Sequence, residues 1–174
     1  MTSVSSHSVK MGFQMATSKD DETSSDLIRT ISRHSLAYML CAASEMCRHY
    51  DFDPLDLLII HAVLNANVLN IMKDPELDRR FGSVQTVEPD EIKQGVSRAS
   101  LSRFLALPME TVRRRADRLK KKGILRDTDQ GLIVTEANQF KFGNNHELQK
   151  TNVLLVRKFL RGLTEAGIEL PGGV

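Results

Sequence analysis

The stretch at residues 97–125 constrains the fold of this chain more than any other. It contains two short segments whose apolar residues have helical spacing, separated by the tripeptide Ala106-Leu107-Pro108. Pro108 suits the opening of a helix, and Gly123 suits the position just after a helix ends. The stretch therefore predicts two short helices joined by a tight turn, the second of them at residues 109–122.

Positive charge is concentrated in this same stretch. Ten Arg or Lys residues and two carboxylates lie between Ser97 and Arg126, which gives a local net charge of +8. The whole chain carries +2, so its remainder carries −6. A basic segment on an otherwise acidic chain is the electrostatic footprint of a protein that binds a polyanion.

Apolar residues at helical spacing also predict three long helices outside this stretch. The first spans residues 25–49. The second follows Asp53, which is a helix cap, and spans residues 54–72. It is apolar on most sides and is therefore expected at the centre of the core. The third long helix spans about residues 146–166.

The segments between these helices are polar. Residues 1–24 are rich in Ser and Thr without periodicity, which predicts a disordered tail. Residues 73–95 predict a linker loop with one short helical turn near residues 75–80, because Pro and Gly interrupt the stretch. Residues 126–131 are polar and predict a turn between Ile124-Leu125 and Leu132-Ile133-Val134, and these segments together predict a small β-hairpin.

The order of helix, turn, basic helix and hairpin predicts a mainly α fold with a winged helix-turn-helix at residues 96–136. Long helices at residues 25–72 and 144–167 flank it. Apolar stripes on terminal helices commonly meet across a two-fold axis, so we expect these helices to form the interface of a homodimer.

A resemblance to a known group of proteins supports this interpretation. The segment LALPMETVRRRADRLKKKGIL resembles the helix-turn-helix of bacterial winged-helix transcription regulators of the GntR, IclR and MarR kind. The shared pattern is Thr111-Val112-Arg113, then Leu119, then Gly123 followed by Ile124-Leu125, and it covers residues 96–135. The flanking helices look like those of MarR dimers, in which both termini build the interface and some members bind small ligands. The resemblance implies a regulator that binds double-stranded DNA and leaves a small-molecule effector open.

The second helix of the motif divides into two faces at about 100° per residue. Val112, Ala116 and Leu119 form a narrow stripe that faces the core. Thr111, Arg113 and Arg114, near the helix start, are the predicted base contacts, and later cations are the predicted phosphate contacts. The full set of predicted DNA-contacting residues is Arg98, Ser100, Glu110, Thr111, Arg113, Arg114, Arg118, Lys121, Arg126 and Gln130.

Two other interpretations of this surface stay open. Glu110–Arg114 and Asp117–Lys121 have the i, i+4 spacing of ion pairs, which also occur on helices that merely face water. Charges paired in this way need not bind DNA, so a winged-helix protein-interaction module is one alternative. A replication or partition protein with the same DNA-binding fold is the other, because fold alone does not define function.

The sequence predicts neither an enzyme nor a metal or cofactor site. His34, His49 and His61 belong to no cluster with metal-ligand spacing, and Ser97, Ser100 and Ser102 have no base at readable spacing.

The sequence also predicts a cytoplasmic protein. Cys41 and Cys47 point away from each other on a helix, and they are expected to be reduced thiols in the core or an interface. The sequence predicts no segment that is long and apolar enough to cross a bilayer.

Overall fold

A computed structural model describes residues 25–83, 85–143 and 145–168, and within these ranges the chain is mainly helical with one two-stranded antiparallel hairpin. The predicted tail at residues 1–24 lies outside the described residues. The elements in chain order are α1 (Ser25–His49), α2 (Pro54–Lys73), α3 (Pro75–Phe81), a 3-10 turn (Asp90–Ile92), α4 (Arg98–Leu105), α5 (Met109–Lys121), β1 (Leu125–Thr128), β2 (Gly131–Val134), α6 (Glu136–Phe142) and α7 (His146–Glu165).

Helix α2 is the centre of the core, as its composition predicts. Leu57, Ile59, Ile60 and Val63 are buried, and the helix packs against β2, α3 and α5. The Asp53 carboxylate caps its first turn by accepting a hydrogen bond from the Leu55 amide at 2.9 Å.

The same helix corrects the expectation about membranes. Helix α2, with 20 residues, is long and apolar enough by length and composition to span a bilayer. However, 56% of its most apolar window is buried inside the protein, and the core helix of a soluble protein passes the same test. This property is therefore weak evidence for a membrane span.

One polar side chain in α2, Asn67, is buried against the hairpin. Its amide nitrogen donates to the carbonyl oxygens of Gln94 at 2.8 Å and Leu132 at 3.3 Å. Its side-chain oxygen accepts from the Val134 amide at 2.9 Å. Asn67 thus joins α2 to β2 and to the segment before α4, and its side-chain oxygen satisfies the buried Val134 amide.

Helices α1 and α7 pack against each other. The rings of Tyr38 and Phe159 lie 5.7 Å apart, and the Tyr38 hydroxyl donates to Asn152 at 3.0 Å. Helix α1 also contacts α2, but the side of α1 that carries Leu36, Met39 and Leu40 is exposed. Cys41 and Cys47 are exposed, so they do not lie in the core of the chain, whereas their predicted place in an interface stays a prediction.

The hairpin is tighter than the sequence suggested. Strands β1 and β2 pair in antiparallel register from Leu125 opposite Val134 to Thr128 opposite Gly131. Asp129 and Gln130 alone form the turn, so the prediction of a six-residue turn at 126–131 is wrong, since residues 126–128 pair within β1.

A third short segment joins the hairpin through main-chain hydrogen bonds. Val96 and Leu132 exchange amide–carbonyl bonds of 3.0 and 2.8 Å, so Val96 is extended and lies outside α4. Gly131 permits this approach: its φ is +125°, and a Cβ there would lie 2.6 Å from the Val96 carbonyl. The hairpin is thereby fixed to the residue that leads into α4.

The region before α4 and the segment after the hairpin contain more helix than a linker would. Helix α3 confirms the predicted helical turn near residues 75–80, and Asp74 caps it by accepting from the Glu76 amide at 2.9 Å. Helix α6 was not predicted, because its seven residues lack an apolar period. Its Gln139 and Phe142 are nevertheless buried.

Candidate nucleic-acid interface

Helices α4 and α5 are joined by the tight turn that the sequence predicts. Ser97 caps α4 by accepting from the Ser100 amide at 3.1 Å. Ala106 ends it in the left-handed conformation at φ 51°. The Ser102 hydroxyl then donates to the Leu107 carbonyl at 2.7 Å, which fixes the path of the turn into Pro108.

Helix α5 is anchored on the predicted side and ends at Lys121, one residue before the predicted end. Val112, Ala116 and Leu119 are each 0% exposed, which confirms the core stripe. Gly123 takes a positive φ of 71°, and its amide donates to the Lys120 carbonyl, as in a glycine helix stop. The face opposite the buried stripe therefore points away from the core.

Two of the helix's cations are engaged by the start of α2. Arg115 donates to Asp53 at 2.6 Å and to Asp56 at 2.9 Å, and Arg118 also pairs with Asp56. Hydrogen bonding from Arg115 lowers the pKa of Asp53 below its usual value. Asp56 is 2% exposed, so these guanidinium groups balance a buried charge. Arg118, a predicted DNA contact, would have to leave Asp56 to reach a phosphate.

A second network joins α4, α5 and the hairpin. Arg98 lies 2.9 Å from Asp127 in β1 and 3.4 Å from Asp117 in α5. Lys120 also pairs with Asp127. The Arg98 guanidinium, followed by the Lys120 ammonium, lowers the pKa of Asp127. Arg98 therefore holds the hairpin against α5.

The i, i+4 ion pairs expected on α5 do not form. Arg113 instead donates to both oxygens of Glu110, at 2.6 and 2.9 Å, and lies 3.6 Å from Asp117. The Arg113 bonds also lower the pKa of Glu110. Both carboxylates are thus taken up by other partners, and within the described part of the chain Arg114 and Lys121 form no ion pair.

The structure places the remaining predicted residues around this surface. Thr111 is half-buried in the first turn of α5, and Gln130 is exposed at the hairpin turn. Arg126 pairs with Asp90 at 2.9 Å. The Ser100 hydroxyl lies 3.0 Å from the Ser97 hydroxyl in the first turn of α4. The predicted residues therefore lie on neighbouring parts of one unit, but most of their charges are already paired.

Sequence reasoning missed the carboxylates that hold these cations. Asp53 and Asp56 lie about 60 positions before their partners, and only the capping role of Asp53 is visible locally. Lys93 was missed for the same reason. It is buried, and its ammonium donates to Asp90 at 2.8 Å and to the Val134 carbonyl at 3.0 Å. The one sequence feature that indicated such partners was the excess of acidic residues outside the basic stretch.

Comparison of the chain with protein-family models, curated proteins and solved structures finds no match. The function proposed below therefore rests on the geometry of the chain itself.

Proposed function

We propose that this protein is a winged helix-turn-helix transcriptional regulator that binds double-stranded DNA as a homodimer in the cytoplasm. In this proposal α4 and α5 are the helix-turn-helix, and β1 and β2 form the wing. Helix α5 enters the major groove, which is wide enough for an α-helix. The wing lies along the neighbouring phosphate backbone.

The observation that carries the proposal is the pair of unpaired cations on α5. Arg114 and Lys121 are exposed, and they lie seven residues apart, which is two helical turns and hence the same face. The buried stripe of Val112, Ala116 and Leu119 fixes the helix behind them. Unpaired cations on a rigid, outward-facing helix are available to a polyanion without the cost of breaking an internal ion pair.

The experiment is a salt titration of DNA binding by the full chain. Fluorescence anisotropy with pooled random duplexes should show binding at low salt, with affinity falling steeply as salt rises, because phosphate contacts release counterions. Selection of bound sequences should then enrich a site with two-fold symmetry. Absence of binding even at low salt would refute the DNA-binding proposal.

The alternative of a protein-interaction module has one observation in its favour. Phe104 and Met109 are 49% and 46% exposed on either side of the turn between α4 and α5, and such residues suit a protein partner. This alternative requires that the chain show no salt-dependent DNA affinity and bind a protein partner stably. A replication or partition role would instead place the bound sites in repeated arrays rather than in promoters.

The dimer part of the proposal is supported by the uncovered side of α1. Leu36, Met39 and Leu40 are 52%, 57% and 62% exposed, which is unusual for large apolar residues clustered within two turns of one helix. A second copy of the chain would bury this surface across a two-fold axis.

We expect the substitution Leu40→Glu to convert the dimer into monomers, because it places a charge in an apolar interface. Sedimentation velocity measures the change. Met72→Glu is the matched control, since Met72 is also 62% exposed but lies at the end of α2. A monomeric wild-type protein at micromolar concentration would contradict the prediction, and so would equal effects of the two substitutions.

A further inference from the structure

Two lysines outside the predicted DNA-contacting set lie over one aromatic ring. The Lys122 ammonium, just after the end of α5, lies 4.6 Å from the centroid of the Phe52 ring. The Lys141 ammonium in α6 lies 5.3 Å from the same centroid. The two ammonium groups are therefore no farther apart than these two distances together, about 10 Å. The negative face of an aromatic ring attracts cations, which favours this position for both side chains.

The core of the protein fixes the ring beneath these lysines. Phe52 is half-buried and packs against the hydrophobic core, and its ring meets the ring of the buried Phe142 edge-on at 5.6 Å. The next residue, Asp53, caps α2 and accepts a hydrogen bond from Arg115 of α5. Lys141 also lies 5.4 Å from the centroid of Phe142. The Phe52 ring is thus held in place, and it positions two cationic side chains at the edge of the core.

Neither lysine is neutralised by an acid within the ranges that the structure describes. Both side chains are exposed, and neither forms an ion pair with a described residue. Of the two acids beside the ring in sequence, Asp53 is taken up by Arg115, and Asp51 forms no ion pair with a described cation. Two like charges that converge without a counter-ion repel each other, so an anion bound beside both is favoured.

The lysine pair lies on the side of α5 that faces away from the hairpin. Lys120 and Lys122 are two residues apart, which is about 200° around a helix. Lys120 pairs with Asp127 of β1, whereas Lys122 lies over the aromatic ring that precedes α2. The hairpin and the ring therefore flank α5 on opposite sides, and the exposed Arg114 and Lys121 lie between them.

We propose that Lys122 and Lys141 form a phosphate-binding pair for duplex DNA, on the strand that borders the major groove opposite the hairpin. This role rests on the proposed function, because it requires that α5 lie in a major groove. A groove about 12 Å wide is filled by an α-helix of about 10–12 Å diameter, so the two flanks of α5 face the two strands. The hairpin contacts one strand, and the lysine pair contacts the other.

The spacing and chemistry of the pair suit a DNA strand. One strand carries a phosphate for about every 3.4 Å of the helix axis, so two ammonium groups this close reach neighbouring phosphates. An ammonium group acts on a phosphate as a point charge, and phosphates carry no sequence information. The pair therefore adds affinity for every duplex, and together with the hairpin it fixes how α5 lies in the groove.

The test compares Lys122→Ala/Lys141→Ala with the wild-type full chain by fluorescence anisotropy on one selected duplex. The variant should bind at least about tenfold more weakly at low salt, and its slope of affinity against salt should become shallower by about two units, one for each phosphate contact. The ratio of affinities between duplexes of different sequence should not change. Lys122→Arg/Lys141→Arg keeps both charges and should keep the wild-type slope.

The outcomes separate this proposal from the proposed function. If the wild type binds DNA and Lys122→Ala/Lys141→Ala has the same affinity and slope, the lysine pair does not contact DNA, while DNA binding itself stands. If the wild type binds no duplex even at low salt, both proposals fail. Circular dichroism monitors folding. If the double variant does not fold, Lys122→Gln and Lys141→Gln replace it, and each should reduce the slope by about one unit.

Neutral methylphosphonate links in the duplex locate the contact. Each phosphate of the selected site is replaced in turn, and binding of the wild type and of Lys122→Ala/Lys141→Ala is measured. The wild type should lose affinity at neighbouring positions on one strand of each half-site, where the variant shows no further loss. If the same positions weaken both proteins equally, the lysines do not contact the backbone and the proposal is overturned.

Discussion

Replacing Asn67 with alanine is expected to lower the free energy of unfolding by about 2–4 kcal/mol, the sum of unsatisfied main-chain groups and a small cavity. The Val134 amide would lose its buried acceptor, and the Gln94 carbonyl would lose a part-buried donor. Chemical denaturation measures the loss. Hydrogen exchange at the Val134 amide should also accelerate, because its acceptor is gone.

Asn65→Ala is the matched control for this prediction. Asn65 lies in the same helix and is exposed. Its replacement by alanine changes the helix propensity by the same amount as the replacement of Asn67. Its replacement should change stability by less than about 0.5 kcal/mol. If the two substitutions have equal effects, then Asn67 does not hold the hairpin to α2 in the way its hydrogen bonds indicate.

The double substitution Arg114→Ala/Lys121→Ala should reduce DNA affinity about ten- to a hundredfold at low salt, the loss expected for one base or phosphate contact from each side chain. The slope of affinity against salt should also become shallower, by about one unit for each phosphate contact removed. Anisotropy with the selected DNA site measures both quantities. Neither side chain has an internal ion pair within the described chain, so folding should be unaffected.

Arg157→Ala/Lys158→Ala on α7 is the control with the same change in net charge. Both residues are exposed, and neither belongs to the α5 face. If this control weakens binding as much as the α5 variant does, general charge rather than the α5 face attracts the DNA. If neither variant changes affinity, α5 does not contact DNA.

Features that depend on neighbouring residues were predictable from the sequence. The bounds of α1 and α7, the Asp53 cap and the Gly123 helix stop follow from local preferences and apolar spacing. The buried stripe of α5 also follows, because three apolar residues in a basic helix leave one choice for the inward face.

Features that depend on distant residues were not predictable. The partners of Arg115 are Asp53 and Asp56, and nothing in the local sequence distinguishes these acids from solvent-exposed ones. The extended pairing of Val96 with Leu132 was missed because a single bridge has no sequence period.

The carboxylates that hold the cations of α5 also bear on how a DNA reader would discriminate among sequences. Arg113 donates to Glu110 through Nε and Nη2, so these two donors must leave the carboxylate before they can contact DNA, and a phosphate offers a bond of similar kind to the one given up. Arg113 would therefore add little affinity for DNA of arbitrary sequence, whereas guanine offers it two acceptors in fixed geometry. In the proposed complex this internal competition lowers the affinity for the many incorrect sites of a genome and shortens the search for a correct one.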